Sequence, residues 1–168
     1  MYKVGIIGPE STGKSDLARY LAKRYKGVLV EEYARRYVEE KGTTEVSYEE
    51  LCEIARRQIE EIKSYSEAVC SSEGRSGLCQ AKPVFFDTEL IVTKVWFEYA
   101  FGHVPEWLNE AIKTYPMDVY LLTYPDIAWV PDPARSNGSD EIRKELFDRY
   151  EAEIQALDTP YYIITHEE

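Results

Sequence analysis

The sequence is short of positive charge. Twenty lysines and arginines stand against 31 aspartates and glutamates, which gives a formal net charge of −11 over 168 residues. So acidic a chain repels phosphate backbones and anionic lipid headgroups, and we therefore expect neither a nucleic acid nor a membrane surface as a partner. A nucleotide remains compatible with this charge, because Mg²⁺ and a few local cations can neutralise its phosphates.

Cysteines and long apolar runs are also scarce. The three cysteines, Cys52, Cys70 and Cys79, lack the paired spacing of a zinc site, and their odd number argues against a disulfide framework. We expect reduced thiols in a cytoplasmic protein. No run approaches the ~18 apolar residues that a membrane helix needs, and the first residues do not have the pattern of a signal peptide.

Five short apolar runs alternate with helical patterns along the chain. The runs lie at 3–7, 28–30, 84–86, 118–123 and 161–165. Apolar residues at helical spacing fill the intervals, and Ser47 and Glu50 form a capping-box pattern before a long helix. This alternation predicts βαβ units, and hence an α/β fold with a parallel sheet covered on both faces.

The chain has no internal repeat and no linker, which predicts a single domain over residues 1–168. A stretch rich in serine and glycine at about 71–81 indicates a mobile loop, and a proline-rich stretch at about 125–139 indicates a lid loop. Ligands of parallel sheets bind outside the carboxyl ends of the strands. We therefore expect Glu32 after the second strand and Asp87 after the third to face one crevice.

Residues 8–15 match the phosphate-binding pattern G-x-x-x-x-G-K-[ST] between a strand and a helix. They read Gly8-Pro9-Glu10-Ser11-Thr12-Gly13-Lys14-Ser15. The glycines allow backbone N–H groups to turn inward around an anion at the helix N-terminus. Lys14 would then reach the outer phosphates, and the Ser15 hydroxyl would bind Mg²⁺. The pattern predicts a P-loop that binds ATP or another nucleoside triphosphate.

Two carboxylates complete the predicted chemistry. Asp87 ends an apolar strand, where a carboxylate can hold Mg²⁺ beside a P-loop; a charge favouring the next helix N-terminus is the alternative. Glu32 ends the second strand and is the candidate general base for a hydroxyl acceptor. A solvated glutamate at a helix start is the alternative for Glu32, and Asp87 could itself act as the base.

Arginines and aromatic residues are further candidates. Arg135 and Arg143 could deliver guanidinium groups from the lid loop to the phosphates, with Arg135 as the catalytic one; surface ion pairs are the alternative. Arg35 is a candidate for substrate contact. Interior packing is the default interpretation for the aromatic residues Trp96, Phe97, Tyr99, Phe101 and Trp107. One of them, or Tyr33, could stack on a substrate base.

Five segments occur in an order that resembles a known family. They are Gly8 to Ser15, Glu32-Tyr33-Ala34-Arg35, Phe86-Asp87-Thr88, Phe101-Gly102 and Asp126-Ile127-Ala128-Trp129-Val130. Over nearly the whole chain they resemble the nicotinamide riboside kinase domain of NadR-type NAD-salvage proteins. The resemblance implies that ATP phosphorylates the 5′-hydroxyl of nicotinamide riboside.

We accordingly expect a three-layer α/β/α fold of the nucleoside and nucleotide kinase type, with a parallel sheet in strand order 2-3-1-4-5. Substrate contacts are expected at Glu32, Tyr33, Arg35 and Asp87, and a metal site at Ser15 and Asp87. Catalysis is expected from Lys14, Glu32, Asp87 and Arg135, and nucleotide binding from residues 8–15 with Arg135 and Arg143.

The sequence differs from the family at two places. Asp132-Pro133-Ala134-Arg135 stands where the family's lid reads Asp-Gly-x-Arg, and Glu31 stands where the family has an aromatic residue. In the family that aromatic residue stacks on the nicotinamide ring. A kinase for another nucleoside or deoxynucleoside, and a nucleotide-dependent switch with little turnover, are therefore the alternatives. The choice between ATP and GTP and the oligomeric state have no signal in the sequence.

Overall fold

A computed structural model describes residues 1–67, 82–131 and 139–166. In chain order its elements are β1 (Lys3–Ile7), α1 (Lys14–Arg24), β2 (Val28–Val30), α2 (Tyr33–Lys41), α3 (Tyr48–Glu67), β3 (Val84–Asp87), α4 (Leu90–Phe101), α5 (Glu106–Thr114), β4 (Val119–Thr123), α6 (Asp140–Ala156) and β5 (Tyr161–Ile164). The predicted mobile loop at 71–81, Arg135 and the stretch 132–138 of the predicted lid loop lie outside the described residues.

The five strands form one parallel sheet in the order β2-β3-β1-β4-β5. This confirms the predicted strand order. β1 lies in the middle, where Ile6 is in register with Asp87 of β3 and with Leu121 of β4. The carboxyl ends of these strands meet at one edge of the sheet. The loop after β1 therefore begins between the ends of β3 and β4.

Helices cover both faces of the sheet, as predicted. α1 packs on one face, where Ala18 meets Val4 and Phe85. The larger core lies on the opposite face, where Phe86 and Tyr120 pack with residues of α3, α4, α5 and α6. Phe85 and Phe86 serve different cores because successive side chains of a strand point to opposite faces. The result is a three-layer α/β/α arrangement.

The start of α3 is fixed by the predicted capping box. The Ser47 N–H donates to Glu50 Oε2 at 2.8 Å, and the Glu50 N–H donates to Ser47 Oγ at 3.2 Å. Lys41 Nζ also donates to Glu50 Oε2, at 2.7 Å. The hydrogen bond from Lys41 and then that from the Ser47 N–H lower the pKa of Glu50 to about 2. The capping box therefore also fastens α2, through Lys41, to α3.

A buried glutamate fixes the start of α4. Glu89 is the N-cap residue, and its Oε1 accepts a hydrogen bond from the Ile91 N–H at 2.9 Å. Burial raises the pKa of Glu89 to about 7, against hydrogen bonds from backbone N–H groups and Tyr120. None of the helices within residues 1–67, 82–131 and 139–166 combines the length and the hydrophobicity needed to cross a bilayer.

Candidate active site

The loop between β1 and α1 has the backbone shape of an anion-binding nest. Gly8 has a φ of 154°, and Gly13, the N-cap residue of α1, has a φ of 77°. Both values favour glycine over other residues. A β-carbon at Gly8 would collide with the hydroxyl of Thr123 at the end of β4. The loop therefore curls tightly against the sheet and delivers its backbone to a helix N-terminus, which favours an anion.

Two buried threonines, Thr12 and Thr123, stabilise the loop through their hydroxyl groups. Thr12 Oγ1 donates to Pro9 O at 2.9 Å and lies 2.5 Å from Thr123 Oγ1. Thr123 Oγ1 also lies 3.3 Å from Ile7 O. The sequence prediction did not include Thr123. Its position at the carboxyl end of a strand next to β1 is the signal that could have identified it.

Lys14 begins α1 and is only 6% exposed. Its Nζ donates to Pro9 O, a carbonyl of the loop itself, at 2.7 Å. A buried ammonium group needs hydrogen-bond acceptors, and a phosphate oxygen is a stronger acceptor than a carbonyl. The position of Lys14 therefore suits the phosphate contact that the motif predicts.

Ser15 and Asp87 meet at the mouth of the loop. Ser15 Oγ donates to Asp87 Oδ2 at 2.6 Å. Asp87 is buried, and its Oδ1 has no hydrogen-bond partner among the described residues. A hydroxyl and a carboxylate with a spare buried oxygen are the hard oxygen ligands that Mg²⁺ prefers. The two predicted metal-binding residues therefore lie together and fit a magnesium ion.

Two cavities open beside the loop. The polar cavity has a volume of about 480 Å³, and its walls include Ser15, Arg19, Glu31 and Asp87. The apolar cavity has a volume of about 150 Å³. Its lining side chains from α2, α3, α4, α6 and the segment before α3 include Ala34, Val38, Val46, Leu51, Ile54, Val92, Trp96, Leu146 and Tyr150. Three residues line both cavities, namely Lys14, Glu32 and Arg35.

The apolar cavity also has charged residues in its lining, the carboxylates Glu10 and Glu32 and the cations Lys14 and Arg35. Tyr150 is 2% exposed, and burial and then the charges of Glu10 and Glu32 raise its pKa. The two carboxylates and the phenol line this cavity together with the cations Lys14 and Arg35. A mainly apolar wall with a few charged and polar groups is typical of small-molecule sites.

The structure separates the predicted site residues into groups. Lys14, Ser15, Glu32, Arg35 and Asp87 come together around the two cavities. Tyr33 lies instead beside a small cavity that Gln58 and Glu61 also line. Arg143 contacts backbone carbonyls and Asp140 among the described residues. The predicted catalytic and nucleotide-binding role of Arg135 concerns a residue outside the described ranges.

The sequence analysis names no residue of the apolar wall as a site residue by itself. Trp96 is in a group of aromatic residues of which one could stack on a substrate base, with interior packing as the default, and Tyr150 has no predicted role. Both line the cavity. Phe97, by contrast, is buried in the core, as the default interpretation of the aromatic residues expects. An apolar position that faces a cavity has the same sequence pattern as one that faces the core, so periodicity could not distinguish Trp96 from Phe97.

The strand order and the loop after β1 define a P-loop nucleotide-binding protein with the architecture of nucleoside and nucleotide kinases. The chain belongs to the AAA domain family, whose sequence profile matches residues 3–168.

Two curated relatives are NadR proteins, each called trifunctional NAD biosynthesis/regulator protein. The protein of Escherichia coli is 29% identical over 149 residues, and that of Salmonella typhimurium is 26% identical over 147 residues. The matches cover 85% and 84% of this chain but 33% and 32% of the relatives. The chain therefore spans about a third of the length of these relatives.

Solved structures share the fold. A NadR protein in complex with NAD and AMP-PNP has a TM-score of 0.69 at 24% identity, over 99% of this chain and 44% of that one. A thymidylate kinase from Ehrlichia chaffeensis has a TM-score of 0.63 at 17% identity, over 99% of this chain and 88% of that one. Together the comparisons confirm the resemblance to NadR-type proteins that the sequence motifs indicated.

Proposed function

We propose that the protein is a kinase that transfers the γ-phosphate of ATP to the hydroxyl of a nucleoside, and that this nucleoside is nicotinamide riboside. The observation that carries the proposal is the junction of the polar and apolar cavities at Lys14, Glu32 and Arg35. A phosphate donor and an apolar acceptor bound in adjoining cavities would meet at these residues. Phosphoryl transfer depends mainly on such positioning and on neutralisation of charge.

The polar cavity suits the phosphates of the donor. The loop offers backbone N–H groups at the N-terminus of α1, and the buried Lys14 supplies a positive charge beside them. Ser15 and Asp87 would hold Mg²⁺, which neutralises phosphate charge when bound. The overall net charge of −11 makes these local cations necessary for an anionic ligand.

The apolar cavity suits the base of the acceptor. Its indole at position 96 and its aliphatic walls favour a flat ring, which gains from stacking as well as from burial. The aromatic rings of Trp96 and Tyr150, beside the carboxylates of Glu10 and Glu32, suit a ring that carries positive charge, whereas Lys14 and Arg35 stand at the junction with the polar cavity. Nicotinamide riboside has a cationic pyridinium ring, whereas the common nucleosides have neutral bases. This charge is our reason for preferring it over other nucleosides.

The proposed reaction has few steps. The nucleoside hydroxyl attacks the γ-phosphorus, the bond from that phosphorus to the bridging oxygen breaks, and ADP leaves with the electron pair. Glu32 accepts the hydroxyl proton, and Lys14 stabilises the negative charge on the phosphoryl oxygens. Proton acceptance contributes about 10²–10⁴-fold, which is less than positioning and charge neutralisation can contribute.

The experiment that tests the proposal is ADP release by the purified protein with MgATP and a panel of acceptors. The panel contains nicotinamide riboside, adenosine, cytidine, thymidine and deoxyadenosine at equal concentrations. We expect the highest kcat/KM with nicotinamide riboside. Higher kcat/KM with a neutral nucleoside would show a kinase of different specificity, which Glu31 in the polar cavity makes a specific alternative. Nucleotide binding without acceptor-dependent ADP release would exclude a kinase and favour a nucleotide-dependent switch.

A further inference from the structure

Arg143 is the least exposed charged side chain that the structure describes, at 1%. Only one carboxylate, that of Asp140, forms a described ion pair with it, at 3.0 Å, and the Asp140 side chain is 87% exposed. Placing a guanidinium group in the interior is unfavourable unless several acceptors compensate it. Acceptors other than Asp140 must therefore surround the guanidinium group.

The acceptors come from two distant parts of the chain. Arg143 Nη1 lies 3.4 Å from both Glu10 O and Ser11 O in the phosphate-binding loop. Arg143 Nη2 donates to Ile127 O at 2.8 Å and lies 3.5 Å from Pro125 O, both in the segment after β4. The planar guanidinium fork can satisfy several carbonyls at once, which an ammonium group cannot do in the same geometry.

Further contacts join the same two segments. Ser11 Oγ lies 3.3 Å from both the N and the O of Val130. The side chain of Ile127 lies 3.7 Å from the position of a β-carbon built on Gly13. The segment 125–130 is therefore fixed to the phosphate-binding loop at several points, and Arg143 is the buried one among them.

The orientation of the loop peptides follows from these contacts. A trans peptide is planar, so its C=O and N–H groups point in opposite directions, and the described residues contain no cis peptide bond. Arg143 attracts the carbonyls of Glu10 and Ser11 to the outer side of the loop. The N–H groups of Ser11 and Thr12, which belong to the same two peptides, then point to the opposite side, where an anion would bind.

We propose that Arg143 is a positioning residue that holds the phosphate-binding loop in its anion-binding shape by fastening it to the segment 125–130. This inference rests on the proposed function, because the shape matters only if the loop binds a nucleotide. It also changes the role that the position of Arg143 after the lid loop predicts, from a direct contact with the phosphates to support of the loop that contacts them.

The test compares the binding of ADP with that of a non-hydrolysable ATP analogue. Loss of loop support would weaken the binding of both nucleotides, whereas loss of a direct contact with the γ-phosphate would weaken only the binding of the analogue. Isothermal calorimetry in Mg²⁺ would measure both dissociation constants for Arg143→Lys and Arg143→Met. We expect both constants to rise by similar factors, about tenfold or more, since the loop carries the phosphates common to both nucleotides. In turnover assays KM for ATP should rise while kcat at saturating ATP changes by less than about threefold.

One control variant and one further variant of the loop make the result specific. Arg149→Lys changes a half-buried arginine of the same helix, whose described ion pair is with Glu145, and should leave both constants unchanged. Ser11→Ala removes the hydroxyl contact with Val130 without removing a peptide group. It should raise both constants, by about threefold.

The proposal is overturned if folded Arg143 variants bind both nucleotides like the wild type, or if only the ATP analogue binds more weakly. If neither Arg143 variant folds, the Ser11→Ala constants decide, and unchanged values overturn it. Failure of the proposed function is a separate outcome. A wild type that binds both nucleotides but phosphorylates no nucleoside would contradict the kinase activity and leave the calorimetric comparison valid.

Discussion

The two walls of the candidate site are built differently. The phosphate-binding loop is one continuous stretch of eight residues, Gly8 to Ser15, supported by buried groups such as Thr123 and Arg143. The wall proposed for the acceptor, which lines the apolar cavity, is assembled from four helices. Its outermost part, α2, contains no buried residue. Side-chain contacts such as those of Lys41 and Tyr37 with Glu50 join it to α3.

This difference shows which part of the function is local. In the proposed function, phosphates would be held by backbone N–H groups, whose directions depend on a short sequence pattern. The acceptor would be held by side chains such as Val38, Leu51, Trp96 and Leu146, which line one cavity although they are distant in the sequence. We therefore expect changes in the loop to abolish chemistry for every acceptor, and changes in the helical wall to alter the choice of acceptor.

The largest expected effect concerns Lys14. Lys14→Ala removes the buried charge that faces the phosphates and should lower kcat/KM by at least about 10³-fold with every acceptor. Steady-state kinetics would measure this, and circular dichroism would check that the fold persists. Lys23→Ala, an exposed lysine of the same helix, is the control. Turnover close to that of the wild type would remove Lys14 from the mechanism.

The second effect concerns Glu32, which lies at the junction of the two walls. Glu32→Gln keeps the shape but cannot accept a proton, so kcat should fall by about 10²–10⁴-fold. ATP affinity, measured by calorimetry, should stay within about threefold of the wild-type value. Glu40→Gln, an exposed position of α2, is the matched control. A normal kcat for Glu32→Gln would transfer the role of base to Asp87 or to no residue.

A smaller effect is expected for Trp96 in the helical wall. Trp96→Leu removes the stacking surface and should raise KM for the acceptor by about tenfold, with KM for ATP unchanged. Trp107→Leu removes a partly buried indole that packs near Arg56 and should leave both KM values unchanged. If Trp96→Leu instead weakened ATP binding, the assignment of the apolar cavity to the acceptor would be wrong.

The smallest effect concerns the fastening of α2. The pKa of Glu50 is lowered from 4.5 to about 2 in the folded protein. Its contribution to stability is therefore present above pH 4.5 and is lost as the pH falls towards 2. Glu50→Gln should lower the Tm by about 2–4 °C at pH 7, and by less as the pH falls below 4.5. Scanning calorimetry would measure the Tm decrease at pH 7 and at lower pH, with Glu49→Gln as the control. A decrease in Tm that is independent of pH would contradict this account.

The sequence predicted the phosphate-binding loop and the strand ends better than it predicted the wall that is built from several helices. Short apolar runs ending in Gly8 and Asp87 indicated the strands and the crevice, because parallel sheets place such ends at one edge. The sequence could not single out Trp96 among the aromatic candidates, or identify Tyr150, because a position facing a cavity depends on how helices pack. Glu89 was missed because a buried carboxylate at a helix start has the same sequence pattern as an exposed one. The single domain over 1–168 and the role of Arg135 stay predictions.

The contact of Gly8 with Thr123 also limits how the loop can be re-engineered. The motif itself consists of eight residues. The fit of the loop to the end of β4, however, depends on the hydroxyl of Thr123, which is more than a hundred positions away along the chain. A graft of Gly8 to Ser15 into another sheet would have to bring a threonine on the neighbouring strand with it. The transferable unit is therefore the loop together with the tip of β4.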